Sequence, residues 1–200
     1  MFQTSDINEQ IAKEFLTDSK DFLIRYNILK ECSIAGHQGL RSKLLVDLLF
    51  SAECSIKALV FLTLREDVNA IYKKICTHTL QSLLDILPNE EKMKCEKFFS
   101  TDFISFSIEN RYLVEVYKTF HSNGALDEHY YDTIANPAWF DSVSDKLEEL
   151  HNYVWKKVKV PIEGGLFSEI DINKIEEEHK IKMVYQKRNG FLNDLLRLAV

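Results

Sequence analysis

Two stretches of the sequence place charged side chains at helical spacing within largely apolar segments. Glu53 and Lys57 are four positions apart, so on a helix they lie on the same side, one turn apart. By helical angle they flank the apolar face, which makes neither a core position nor a fully exposed one. A later apolar segment carries a narrow polar stripe that consists of Ser107, Arg111, Glu115 and Lys118. Burying an unpaired charge costs several kcal/mol, so such charges must pair or face a cleft.

These charges allow a structural and a chemical interpretation. In the structural interpretation, ion pairs such as Glu53 with Lys57 stabilise the packing of helices at the edge of a bundle. A pair of Arg111 with Glu115 would do the same. In the chemical one, the side chains line a polar cleft that binds phosphate or a nucleotide through Arg111. His78 starts a helix or packs in the first interpretation, and is a catalytic candidate in the second.

The elements that must position these residues are long helices, because the chain has only three prolines and six glycines. Apolar residues recur at three- and four-residue steps over 6–32 and 40–64. A third helical region spans 68–87, with a break near His78 where Thr77 caps the second piece. Residues 101–120 are apolar almost all round and predict a central helix. Asn136-Pro137 begins another helix, with Asn136 as its cap and a core face of Phe140, Val143, Leu147, Leu150 and Val154.

This pattern predicts an all-α protein, an antiparallel bundle of five to seven helices in a single domain, residues 1–200. The core covers about 6–157, and residues 121–135 form a polar loop within it. Residues 158–172 are an irregular or extended connection, and 173–198 form a C-terminal helix.

Charge and composition exclude several classes of protein. The net charge of −6 argues against nonspecific coating of duplex nucleic acid, but a local basic site remains compatible with it. The start of the sequence shows no secretion signal, and we expect no membrane segment, so a cytoplasmic location is expected. Cys32, Cys54, Cys76 and Cys95 are too widely spaced for a zinc site and are expected to be reduced and mostly buried. No cofactor is expected.

Three motifs, in this order and spacing, resemble the helix signatures of HEPN domains. They are Ser51-Ala52-Glu53-x-x-x-Lys57-Ala58-Leu59, His78-Thr79-Leu80-x-x-Leu83, and Arg111-Tyr112 with Glu115. The resemblance covers about residues 40–117, and the later helices are compatible with it.

The resemblance implies a compact helical bundle that commonly forms a homodimer. Many HEPN members are metal-independent ribonucleases of toxin–antitoxin, phage-defence or RNA-processing systems, and others are noncatalytic companions of nucleotidyltransferases. It implies RNA or a nucleotide as ligand, and a nucleotidyltransferase or antitoxin as a possible partner protein. The implied binding residues are Glu53, Lys57, Arg111, Tyr112 and Glu115.

Catalytic HEPN members carry an arginine followed, four to six residues later, by a histidine. After Arg111 the next histidine is His121, which is too far along, and Arg188 is followed by none. The sequence therefore favours a HEPN-like protein with a binding or regulatory role in an RNA- or defence-related context. The alternative within the family is an atypical metal-independent ribonuclease that uses Arg111, with His78 as a second catalytic candidate.

Two interpretations from other classes remain open. One is a purely structural dimerisation or interaction module. The other is a di-iron carboxylate bundle, because Glu148-x-x-His151 and Glu176-x-x-His179 have the ligand spacing of such sites. Glu53 and Glu115 are the candidates for its two further ligands. Both Glu-x-x-His pairs come last in the chain, however, and Glu148 lies off the apolar face of its helix.

Basic clusters near the end of the chain have two interpretations as well. Lys156-Lys157-Val158-Lys159 follows Trp155, and Lys187-Arg188 follows Tyr185. Such clusters contact RNA by charge and stacking, or form a solvated face whose long side chains cover apolar surface. The second interpretation is the one that the sequence favours.

Overall fold

The computed structural model describes residues 4–32, 38–107, 113–122 and 125–158 of the chain. Within these ranges it has nine helices: α1 Thr4–Cys32, α2 Gln38–Thr63, α3 Val68–Lys74, α4 Leu80–Ile86, α5 Asn89–Glu96, α6 Thr101–Ser105, α7 Leu113–Phe120, α8 Glu128–Asp132 and α9 Pro137–Trp155. Two short strands, β1 His121–Ser122 and β2 Ala125–Leu126, pair antiparallel. The prediction of a mostly helical protein is confirmed. The predicted count of five to seven helices is not confirmed.

The helix α2 lies at the centre of the described bundle. It packs against α1, α3, α4, α7 and α9. Residues 44–49, 51–56 and 58–61 are all buried, so α2 has neighbours on every side for most of its length. A helix in this position needs mostly apolar residues around its circumference, and α2 has them apart from the buried polar side chains Asp47, Ser51, Glu53 and Ser55.

The prediction that residues 101–120 form the central helix is wrong. The segment contains two shorter helices, α6 and α7, and Phe106 at the end of α6 adopts an extended backbone with a ψ angle of 148°. Phe106 is buried against the rings of Phe120 and Trp139, at centroid distances of 5.6 and 5.7 Å. Apolar residues all round this segment therefore reflect aromatic packing at a chain bend.

The helices α1 and α2 are joined by a seam of small polar side chains. The hydroxyl oxygen of Ser19 lies 3.0 Å from that of Ser51 and 2.8 Å from that of Ser55, and all three residues are buried. Each hydroxyl finds a partner within the seam, so its burial does not leave an unsatisfied polar group. At the other end of the interface, Arg25 donates to both carboxylate oxygens of the buried Asp47 at 2.9 Å.

The predicted break in the third helical region is confirmed, but its cap is not the predicted one. Helix α3 ends at Lys74, and α4 begins after Thr79, which is its N-cap residue without a side-chain cap bond. The hydroxyl of Thr77 accepts a hydrogen bond from the backbone N–H of Thr79 at 3.3 Å. Thr77 thus fixes the loop that precedes α4 and does not cap the helix itself.

The predicted start and core face of α9 are both confirmed. The side chain of Asn136 accepts hydrogen bonds from the backbone N–H groups of Ala138 and Trp139, at 3.0 and 3.4 Å, and Pro137 is the first helical residue. All five predicted core positions are buried: Phe140, Val143, Leu147, Leu150 and Val154.

The prediction of a polar loop over 121–135 is wrong for most of its length. The segment contains β1, β2 and α8, and the Asp127 side chain caps α8 by accepting from the backbone N–H of Tyr130 at 3.0 Å. The Tyr130 ring is buried against Phe120 at 5.8 Å. The Asp127 cap and the buried Tyr130 ring therefore give this segment a regular structure, although its composition is mostly polar. The predicted connection at 158–172 and helix at 173–198 lie, apart from Val158, outside the described residues.

Glu91 on α5 connects this helix to the end of α9. Its carboxylate accepts from the Tyr153 hydroxyl at 2.6 Å and from the Lys157 ammonium at 3.0 Å. Burial raises the pKa of Glu91, but the bonds from Tyr153 and Lys157 outweigh it and hold the pKa below its usual value. A carboxyl whose pKa is depressed by folding stabilises the fold above its unfolded pKa, and this contribution is lost as the pH falls through the folded pKa.

We therefore expect Glu91→Gln to lower the free energy of unfolding at pH 7 by about 1 kcal/mol. The difference from the wild type should shrink below about pH 4, because the wild-type carboxyl is then itself becoming neutral. Urea denaturation at pH 7, 5 and 3.5 measures this. Glu90→Gln is the matched control, since the Glu90 side chain is 75% exposed. A difference that is the same at all three pH values would contradict the ion-pair explanation.

None of the helices within the described ranges combines the length and apolar character needed to cross a membrane.

Candidate functional site

The buried carboxylate of Glu53 contacts two nitrogen-bearing side chains from different elements. Its Oε1 atom lies 2.7 Å from the Lys57 ammonium, and the Nδ1 atom of His78 lies 3.0 and 3.2 Å from its two oxygens. Glu53 and Lys57 are one turn apart on α2, whereas His78 comes from the loop between α3 and α4. We call these three residues the Glu53 cluster.

The loop that carries His78 is fixed at both ends by buried residues. Ile75, the C-cap residue of α3, and Leu80, the first residue of α4, are 3% and 1% exposed. Both α3 and α4 pack against α2. The four residues between these anchors therefore have little freedom to move away from α2, and His78 is placed against the carboxylate of Glu53.

The exposure of the three side chains differs strongly. Glu53 is 4% exposed, so the prediction that it flanks the core without belonging to it is wrong. The side chain of Lys57 is 12% exposed, and its ammonium lies 6.0 Å from the centre of the Phe15 ring, at the limit of a cation–π contact. The side chain of His78 is 69% exposed. The cluster thus runs from the core to the surface, and the imidazole is its accessible end.

The contact with Glu53 decides which nitrogen of His78 carries a proton. An ionised carboxylate only accepts hydrogen bonds, so Nδ1 must donate, and in the neutral ring Nε2 is then the acceptor. His78 is therefore arranged as a proton acceptor or as a hydrogen-bonding group toward a bound ligand.

Of the predicted binding residues, the structure brings Glu53 and Lys57 together and adds His78 to them. Arg111 and Tyr112 lie outside the described residues. Glu115 on α7 is partly buried, and its Oε2 atom has no hydrogen-bond partner among the residues described. No contact between Glu115 and Glu53 is observed within those ranges. The predicted pair of Glu53 with Lys57 is confirmed, and the predicted pair of Arg111 with Glu115 stays a prediction.

The proposed di-iron ligands are not brought together in the part of the chain that is described. There, no group of three or more His, Cys, Asp or Glu side chains is arranged to hold a metal ion. Glu148 is 46% exposed and lies 3.5 Å from the ammonium of Lys20, in agreement with its predicted position off the apolar face. Glu176 and His179 lie outside the described residues.

The basic cluster after Trp155 is only partly available to a ligand. Lys157 donates to Glu91 at 3.0 Å, and its ammonium lies 4.9 Å from the centre of the Tyr153 ring. Lys156 and Trp155 are exposed. Lys157 is thus engaged in an ion pair and a ring contact, and the interpretation of the cluster as a solvated face stays a prediction. Lys159, Tyr185, Lys187 and Arg188 lie outside the described residues.

Cys76 lies in the same loop as His78 and is exposed, so the expectation of mostly buried thiols is wrong for this residue. Cys54 and Cys95 are buried as expected, and burial raises the pKa of each thiol to about 12. The side chain of Cys32 is not among those that the structure describes.

We expect Cys76 to react with a thiol reagent such as 5,5′-dithiobis(2-nitrobenzoate) in the native protein at pH 8. Cys54 and Cys95 should react only after unfolding, because the reactive thiolate form is suppressed by burial. Comparing the reaction of the wild type with that of Cys76→Ser isolates the Cys76 signal from any contribution of Cys32. If native Cys76→Ser had as many reactive thiols as the native wild type, the exposed position of this loop would be contradicted.

Comparison with known protein families, with curated proteins and with solved structures finds no match for this chain.

Proposed function

We propose that this chain is a HEPN-like helical protein of the cytoplasm that binds RNA in a phage-defence or toxin–antitoxin context. Its role is binding or regulatory, and the Glu53 cluster is part of the binding site. One observation carries the proposal: Glu53 and Lys57 of the first motif meet His78 of the second, although 25 positions separate Glu53 from His78. Motifs that are distant in sequence thus share one ion-paired group that reaches the surface.

The chemistry of the cluster suits a polyanionic ligand with flat bases. The exposed imidazole of His78 is able to stack on an unpaired base or to hydrogen-bond a phosphate or a 2′-hydroxyl. Lys57 offsets the charge of Glu53, so the cluster does not repel phosphate as an isolated carboxylate would. Arg111 and Tyr112 of the third motif complete the proposed binding set together with Glu115, with Arg111 as the phosphate ligand.

The proposal includes a homodimer, and a nucleotidyltransferase or antitoxin as partner protein. Both are carried by the resemblance of the motifs to HEPN domains. Sedimentation equilibrium at micromolar concentration tests the homodimer directly, and a monomeric mass would count against it.

RNA binding is tested by fluorescence anisotropy with a labelled single-stranded RNA, in the presence of EDTA. We expect His78→Ala and Arg111→Ala each to weaken binding at least fivefold, as the loss of one stacking or charge-assisted contact does. His121→Ala is the matched control, because His121 is also an exposed histidine but lies outside the cluster. Failure of the wild type to bind any RNA, or equal binding by all the variants, would overturn the proposal.

The geometry of His78 favours a second candidate function, an atypical metal-independent ribonuclease. With Nδ1 held by a buried carboxylate, Nε2 is suited to take the proton of a 2′-hydroxyl as its oxygen bonds to the adjacent phosphorus. The bond from phosphorus to the 5′-oxygen of the next nucleotide breaks, which leaves a 2′,3′-cyclic phosphate, and the 5′-oxygen takes a proton from water. Arg111 would stabilise the phosphate charge. Under this candidate, RNA is cleaved with EDTA present, and His78→Gln lowers the rate about 10²- to 10⁴-fold. The control His121→Gln should cleave like the wild type. Absence of cleavage removes this candidate and leaves RNA binding in place.

A protein that neither binds nor cleaves RNA would leave the structural interaction module as the remaining interpretation. The di-iron alternative is decided separately by measuring iron and manganese in the purified protein.

A further inference from the structure

A groove of about 220 Å³ lies between α1 and α9, separate from the Glu53 cluster. Its lining comes from three positions on each helix: Leu16, Thr17 and Lys20 of α1, and His151, Asn152 and Trp155 of α9. The two helices contribute a buried leucine, two rings, a cation and two small polar side chains. This combination differs from that of an apolar crevice between packed helices.

Two aromatic rings form one wall of the groove. The indole of Trp155 and the imidazole of His151 are one helical turn apart, with centroids 6.2 Å apart and ring planes only 13° from parallel. Trp155 is 37% exposed, although a large apolar ring gains most from burial. A partly exposed indole beside a parallel ring offers a flat surface on which another ring can stack.

The opposite helix supplies a cation at the edge of this surface. The Lys20 side chain is 41% exposed, and its ammonium lies 3.5 Å from Oε1 of Glu148, whose side chain is 46% exposed. Ion pairs between half-exposed side chains contribute little to stability, so an incoming phosphate is able to compete for Lys20. Thr17 and Asn152 are exposed at the groove and are able to hydrogen-bond the edge of a base or a ribose hydroxyl.

We propose that this groove binds one unpaired nucleotide, with its base stacked on Trp155 and its phosphate beside Lys20. An aromatic platform next to a cation is the arrangement by which proteins hold single-stranded nucleic acid, since every base has a face for stacking and every nucleotide carries a phosphate. The role of the groove as a second contact for RNA rests on the proposed function. Its role as a binding site for a free nucleotide is independent of the proposed function.

Titration with adenosine 5′-monophosphate decides whether the groove is a nucleotide site. The chain has two tryptophans, so its ¹⁵N spectrum shows two indole N–H resonances, and the one missing in Trp155→Leu belongs to Trp155. We expect the nucleotide to shift the Trp155 resonance and to leave that of Trp139 in place. Adenosine 5′-monophosphate that leaves the Trp155 resonance unshifted at millimolar concentration would overturn the proposal.

Anisotropy with single-stranded RNA then decides whether RNA uses the groove. Trp155→Leu should weaken RNA binding about tenfold, and Lys20→Gln a few-fold. Tyr131→Leu and Lys97→Gln are matched controls at exposed positions outside the groove. Circular dichroism confirms that each variant is folded. Binding by Trp155→Leu that equals the wild type would overturn the role of the groove as an RNA contact.

The two experiments separate this proposal from the proposed function. If RNA binding depends on His78 but not on Trp155, the groove is excluded as an RNA contact and the proposed function stands. If the nucleotide shifts the Trp155 resonance but no RNA binds, the groove is a nucleotide site and the proposed function falls.

Discussion

Replacing Glu53 by leucine is expected to lower the free energy of unfolding by about 3–5 kcal/mol, the usual cost of leaving one member of a buried ion pair alone. The Lys57 side chain is only 12% exposed, and Glu53 Oε1 lies 2.7 Å from its ammonium. Without the carboxylate, the ammonium of Lys57 has lost its partner in a largely water-free position, which costs more than the loss of a surface salt bridge would.

Urea denaturation of three variants tests this explanation. The double variant Glu53→Leu, Lys57→Met removes both charges and should recover most of the lost stability, because an apolar pair of similar volume replaces the ion pair. His78→Ala should cost less than about 1 kcal/mol, since its side chain is 69% exposed. Equal destabilisation of the single and the double variant would show that the pair itself is not the cause.

The second large effect is expected for Phe120→Ala, at about 3–5 kcal/mol. Phe120 is 1% exposed and ends α7, where its ring contacts those of Phe106, His129 and Tyr130 at 5.6, 5.3 and 5.8 Å. Its truncation opens a cavity among the ring at the end of α6 and two rings of α8. These rings can refill the space only by moving the elements that carry them.

Tyr131→Ala is the matched control for Phe120→Ala. Tyr131 belongs to the same aromatic region but is 59% exposed, so its truncation should change stability by less than about 1 kcal/mol. Thermal and urea denaturation both report the difference. If Phe120→Ala were as stable as Tyr131→Ala, the packing of α7 against α8 and Phe106 would be contradicted.

The long helices were predictable because their signals are local. Periodic apolar residues predicted α1 over 6–32 and α2 over 40–64, against Thr4–Cys32 and Gln38–Thr63 in the structure. The cap of α9 at Asn136 was predictable for the same reason, since the capping side chain and the backbone it bonds are two to three residues apart.

The region 101–135 was not predictable in this way, because its structure depends on packing between residues distant in sequence. Phe106 directly follows α6 and packs against Trp139 of α9, and the His129 ring lies 6.0 and 5.3 Å from those of Phe106 and Phe120. An apolar run that bends looks the same in sequence as an apolar run that continues as a helix. The bend becomes visible only when its tertiary partners are known.

In the candidate site, too, the local contact was predictable from the sequence and the long-range contact was not. The pair of Glu53 with Lys57 followed from a four-residue spacing, whereas the contact of Glu53 with His78 needs α3 and α4 to be placed against α2. A signal was present nonetheless. Glu53 lies in a largely apolar helix, so its second carboxylate oxygen requires a further donor, and His78 in the break between two helices was an available one.

The central position of α2 has a consequence for the synthesis of this protein. A ribosome releases α2 long before α9, whose first residue is Pro137, so one side of this apolar helix lacks its native partner while the intervening chain is made. Helix α1 covers another side early, because it precedes α2 in the chain. Until α9 arrives, the nascent protein presents the kind of surface that chaperones bind and that associates between chains. Slower translation between α2 and α9 would lengthen that exposure, and we expect the yield of folded protein to fall as the delay before α9 grows.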